Sequence, residues 1–113
     1  MMHSRAAMMR PTMLLAAAAF ALSQTVAAQD LPGDPQAGRR LAESWCRECH
    51  ATDSGSTSAH PNAPDFAAIA ARPGTTALSL NVFLRSSHKT MPNLMMERRE
   101  ADELVAYILS LKR

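Results

Sequence analysis

The chain has 113 residues, 47% of them hydrophobic, with two cysteines, four glycines and a formal net charge of +2 at pH 7. That length holds one domain and excludes barrels, large α/β enzymes and multidomain receptors. The excess charge comes from Arg5 and Arg10; residues 29–113 hold ten basic and ten acidic side chains, which excludes a basic nucleic-acid stripe and a like-charge disordered tail.

Residues 1–28 follow the secretory pattern. His3, Arg5 and Arg10 make a polar, positive start, Met13 to Leu22 is an apolar run of ten, and Val26 and Ala28 stand at the −3 and −1 positions of a small-residue exit. Ten apolar residues fall well short of the ~20 needed to cross hydrocarbon. The segment is therefore predicted to be a cleavable signal peptide rather than an anchor, leaving a working domain of residues 29–113 in the periplasm. No cysteine at the exit marks a lipoprotein, and no Arg-Arg pair marks a twin-arginine route, so Sec-type export is expected. A domain of this size commonly relies on a disulfide, a metal or a cofactor to supplement its core.

In the mature region, Asp34-Pro35 opens a helix, as N-cap and first helical residue. Ala37, Leu41, Ala42 and Trp45 recur at helical spacing and run into Cys46-Arg47-Glu48-Cys49-His50. The polar stretch from Asp53 to Asn62 reads as a loop, and Phe66 to Ala70 as a short helical turn ended by Arg72-Pro73-Gly74. A second full helix is predicted over Thr76–Ser86, with Leu80, Phe83 and Leu84 facing inward. A turn-rich segment around Met91-Pro92 follows. The last helix is predicted over Glu97–Leu111, with Ala101, Leu104, Val105, Ile108 and Leu111 as its apolar stripe, acids at its start and Lys112-Arg113 at its end. No strand alternation is present, and the predicted class is all-α with long loops.

Cys46-Arg47-Glu48-Cys49-His50 is a C-x-x-C-H sequence, the attachment signature of c-type haem. Two thiols one helical turn apart are spaced to bond two carbons of one porphyrin, with the adjacent histidine directed at its iron. Three other chemistries use similar residues. A thioredoxin-like site needs a βαβ context, which is absent. A structural zinc needs four ligands, for which His60 or His88 would have to join Cys46, Cys49 and His50. A disulfide across so small a gap stabilises little. The export leader favours haem over zinc.

Around this motif the mature region resembles the small class I monohaem c-type cytochromes. The resemblance rests on Gly38 eight residues before Cys46, on Cys46-Cys49-His50, on Ala63-Pro64-Asp65-Phe66, on Met91-Pro92-Asn93-Leu94 and on Asp102 to Ile108 in the final helix. It implies three main helices wrapped round one covalently bound haem c. Cys46 and Cys49 would hold the haem, and His50 and Met91 would be the axial ligands of its iron. Pro64 would accept the His50 ring N–H through its carbonyl. Met95 and Met96 are rivals to Met91, and His88 is a further rival ligand. Gly38 would lie where first and last helices cross, pressed by Leu104 and Tyr107. Trp45, Phe66, Leu80, Phe83 and Leu94 would form the core around the macrocycle, with Arg47, Glu48, Arg85 and Lys89 as candidates for its rim. Two positions depart from the family pattern: Ala42 replaces a frequent aromatic, and Glu97 replaces the usual Ser or Thr cap.

The resemblance implies a periplasmic carrier passing one electron at a time, rather than an enzyme. Its partners would be redox proteins docking at the haem edge, with no nucleic acid and no membrane span after cleavage, the chain being a monomer or a weakly associated subunit. The alternatives are a haem-bearing relay subunit of a dehydrogenase or oxidase complex, which a large exposed apolar patch would favour, and a ligand sensor lacking the Met91 bond.

Overall fold

The computed structural model describes residues 31–113; the leader and its cleavage site lie outside them. Four helices follow in order: α1 (Pro35–Trp45), α2 (Phe66–Ala71), α3 (Ala77–Leu84) and α4 (Arg98–Ser110). Among the described residues there is no strand, and the one bridge, His88 with Met91, is isolated. The all-α expectation holds.

Local chemistry sets each boundary. Asp34 Oδ1 accepts the Gln36 N–H at 2.9 Å, and Pro35 occupies the first position of α1, where a missing N–H is no loss. The helix α3 is shorter than the predicted Thr76–Ser86. Thr76 stands outside it as N-cap, in a reciprocal capping box with Ser79 at 2.9 and 3.0 Å. At the other end Arg85 leaves helical geometry, with ψ at 5°. In α4, Glu100 accepts the Glu97 N–H at 2.9 Å, so one of the orphan donors at the helix start has a partner despite the poor capping residue.

The helix α4 is the central element, packed by α1, α2 and α3. Its predicted stripe is buried except at its end: Ala101 and Leu104 are 0% exposed and Val105 and Ile108 2% exposed, while Leu111, the C-cap, is half-buried. Burying Leu104 or Ile108 contributes roughly 1.5–3 kcal/mol each. Burial extends past the stripe to Glu103, Ala106 and Tyr107, because helices press on α4 from more than one side. The α1–α4 crossing is tight at Gly38, where a Cβ would overlap the Glu103 carbonyl and come within 2.8 Å of Tyr107 Cβ. Tyr107 presses there as expected, but the second contact is the Glu103 backbone rather than Leu104. Gly33, at φ 107°, makes a like approach to the Asp102–Glu103 backbone. Tyr107 also reaches across the fold, its hydroxyl donating to the buried Thr52 carbonyl at 2.7 Å.

Candidate functional site

The motif begins where α1 ends. Cys46 is the C-cap of α1, and its carbonyl accepts N–H groups from Cys49 at 3.2 Å and His50 at 2.9 Å. This extra turn brings Cys46, Cys49 and His50 onto one wall of a cavity of about 690 Å³, within the range of roughly 300–1,000 Å³ typical of small-molecule sites. Phe66, Ile69, Leu80, Phe83 and Leu94 supply its apolar lining, and Met91 belongs to the same lining.

His50 is held from behind. Its Nδ1 lies 2.7 Å from the Pro64 carbonyl oxygen, which accepts the ring N–H and leaves Nε2 as the free ring nitrogen. Its ring also packs on Phe66 at a centroid distance of 5.4 Å.

The three methionines of the described region are separated by environment. Met91 lines the cavity, Met96 is 7% exposed within the helical core, and Met95 is 84% exposed at φ 48°. His88, the rival histidine, is half-buried. Its ring stacks on Phe83 at 3.8 Å, and Nε2 is buried without a hydrogen-bond partner. It is not part of the cavity lining, whereas His60 is.

Trp45 and Phe83 depart from the sequence reading. Both line the cavity yet are 41% and 52% exposed, so they form part of its wall rather than a sealed core. The rim candidates separate as well. Glu48 lines the cavity, Arg85 faces a different groove between α3 and α4, and Arg47 and Lys89 are exposed and line neither. Arg72, which the sequence reading did not single out, lines the cavity with Thr75 and Ser79. These three come from the end of α2, the loop after it and the first turn of α3, where no periodicity marks a shared role.

The chemistry of the donors narrows the use of the cavity. Both cysteines are free, and burial pushes the Cys46 thiol up to about 11. A disulfide oxidoreductase requires the opposite, a thiol lowered toward neutrality. Among the described residues no group of three or more His, Cys, Asp and Glu is placed to hold a metal ion, so the zinc reading finds no site there. What remains is two thiols, the imidazoles of His50 and His60, and one thioether around a largely apolar space. This set fits a haem joined through sulfur with an iron that takes nitrogen and soft sulfur ligands.

Comparison with known proteins agrees. Residues 33–108 match the family described as cytochrome c oxidase, cbb3-type, subunit III. The chain is 38% identical over 82 residues to cytochrome c-552 of Bradyrhizobium diazoefficiens, covering 73% of this chain and 79% of that protein. No solved structure matches.

Proposed function

Since the chain belongs to this c-type cytochrome family and so carries covalently bound haem c with its iron, we propose that it is a periplasmic electron carrier, exported by cleavage of residues 1–28. Cys46 and Cys49 would hold the haem through their sulfurs, and His50 and Met91 would bind its iron. The haem supplies a one-electron ferric/ferrous couple. The protein's part is to hold and tune it. His50 is oriented by the bond to the Pro64 carbonyl, which also raises the basicity of Nε2. Met91 offers a soft, neutral thioether that favours the ferrous state and raises the potential. Phe66, Leu80 and Leu94 exclude water, and Arg72 offers a guanidinium to the carboxylates of the porphyrin. Redox partner proteins dock weakly where the cavity opens, near Trp45 and Phe83.

One observation carries this reading: Cys46, Cys49, His50 and Met91 line a single cavity while His50 Nδ1 rests on the Pro64 carbonyl. With His50 and Met91 both binding the iron, no ligand position would be left for a substrate, and the chain would act as a carrier rather than an enzyme. A second reading, a relay subunit of a larger oxidoreductase, is favoured by Leu78 and Val82, which are 75% and 58% exposed along a groove of about 550 Å³ between α3 and α4. The apparent size of the protein in native extracts separates the two.

Spectroelectrochemical titration of the holoprotein tests the carrier reading. A single one-electron wave is expected, with a thioether-to-ferric charge-transfer band and no rapid carbon monoxide binding when reduced. A five-coordinate ferrous form that binds carbon monoxide at once would replace the carrier with a ligand sensor.

A further inference from the structure

The bond between His50 and Pro64 spans 14 residues of chain, most of them the polar loop that separates the two. A flexible connection of that length does not by itself fix a carbonyl at 2.7 Å from a ring nitrogen. The residues that follow each partner are, however, tied to one another. Ser58 Oγ accepts the Ala51 N–H at 2.9 Å and donates to Asp65 Oδ1 at 2.5 Å. The Ser58 N–H donates to the same carboxyl oxygen at 3.3 Å. The Phe66 N–H donates to the Ala51 carbonyl at 2.9 Å. Ala51 follows His50 directly, and Asp65 follows Pro64 directly. One hydroxyl, used as both donor and acceptor, thus joins the two sides of the bond.

Asp65 carries a second sign of this role. It occupies the N-cap position of α2, where an aspartate side chain ordinarily accepts a helix N–H. Here it makes no such bond. Its carboxyl turns to Ser58 instead, and the helix start goes without a side-chain cap.

We infer that Ser58 and Asp65 are positioning residues that clasp the Pro64 carbonyl against His50 and thereby set the electron donation of the proximal ligand. The inference rests on the assignment of His50 as axial ligand above. A ring N–H held tightly by a carbonyl makes Nε2 a stronger donor, which favours ferric iron and lowers the potential. Loosening the clasp weakens that donation and raises the potential.

The test uses the haem-loaded protein and its variants Ser58→Ala, Ser58→Thr, Asp65→Ala and Asp65→Asn. Two quantities are read on each: the reduction potential, and the exchange rate of the His50 Nδ1 proton by NMR in the reduced state. In the parent protein that proton is expected to be resolved and slowly exchanging. Ser58→Ala and Asp65→Ala should raise the potential and speed exchange by about tenfold, the order expected for one buried hydrogen bond lost. Ser58→Thr keeps the hydroxyl and Asp65→Asn keeps an acceptor oxygen, so both should restore the parent values. If the alanine variants lower the melting temperature but leave potential and exchange unchanged, Ser58 and Asp65 only stabilise the loop and the inference is overturned. A parent protein whose His50 shows no iron-shifted resonances would overturn the ligand assignment itself, and the clasp with it.

Discussion

Met91, Met95 and Met96 share one side chain and differ in everything around it. Only Met91 lines the cavity, while Met96 is in the core and Met95 in solvent. Met91→Leu is therefore expected to abolish the charge-transfer band, lower the potential and admit carbon monoxide. Met95→Leu should leave the band intact and change stability by about 0.5 kcal/mol or less. Met96→Ala should keep the band and cost about 2–5 kcal/mol of folding stability. Absorption and melting curves of the three variants check this, and loss of the band in a Met96 variant alone would show the wrong ligand has been chosen. Tyr107 gives a second test at this scale. Burial raises its hydroxyl above the ordinary value of 10.0, so the fold prefers the neutral form. Its contribution is complete below pH 10 and is lost as pH rises beyond that value. Denaturation from pH 9 to 11 should show this alkaline loss in the parent. Tyr107→Phe should flatten it and cost about 1 kcal/mol at neutral pH for the bond to Thr52. The paired cysteines and His50 were legible in the sequence because their spacing is short and local. The Ser58–Asp65 link was not, since its partners lie seven residues apart in a loop without periodicity.

At the scale of elements, the crossing of α1 and α4 holds the cysteine-bearing end of α1 against the core. Gly38 permits it. Gly38→Ala adds about 1 kcal/mol of helix propensity, but the new Cβ would strike the Glu103 carbonyl, which is backbone and cannot swing aside. The net loss should be about 1–3 kcal/mol, or a melting temperature lower by roughly 4–8 °C per kcal/mol. Gly74 is the contrast. A Cβ there meets nothing within 4 Å, and only its φ of 82° opposes alanine, at about 1–2 kcal/mol. Differential scanning calorimetry of both variants distinguishes a steric crossing from simple backbone strain, because only Gly38→Ala should also weaken α1 protection in hydrogen exchange. The Asp34-Pro35 start made α1 readable in advance, apolar periodicity made α4 so, and the Pro73-Gly74 break marked the end of α2. The end of α3 was misjudged because Arg85 and Ser86 are compatible with a helix that nevertheless stops at Leu84. Trp45 and Phe83 were misjudged for another reason: periodicity tells which face a residue is on but not whether protein covers that face.

At the scale of the molecule, the four short helices and long loops of the described residues enclose a cavity of about 690 Å³ that a small domain would not keep without use. Composition and motif together anticipated this plan, in which a cofactor supplements a core too small to stand alone. No helix among the described residues is long and apolar enough to cross a membrane. On the proposed function, the exported, haem-bearing state would depend on two covalent events, removal of residues 1–28 and bonding of one haem through Cys46 and Cys49. Intact mass of the exported protein under denaturing conditions, from a host with working haem-attachment machinery, reads both together. The account predicts a chain beginning at residue 29 plus the mass of one haem, with that added mass absent when Cys46 and Cys49 are both replaced by alanine. A bare polypeptide mass for the unaltered protein would contradict it.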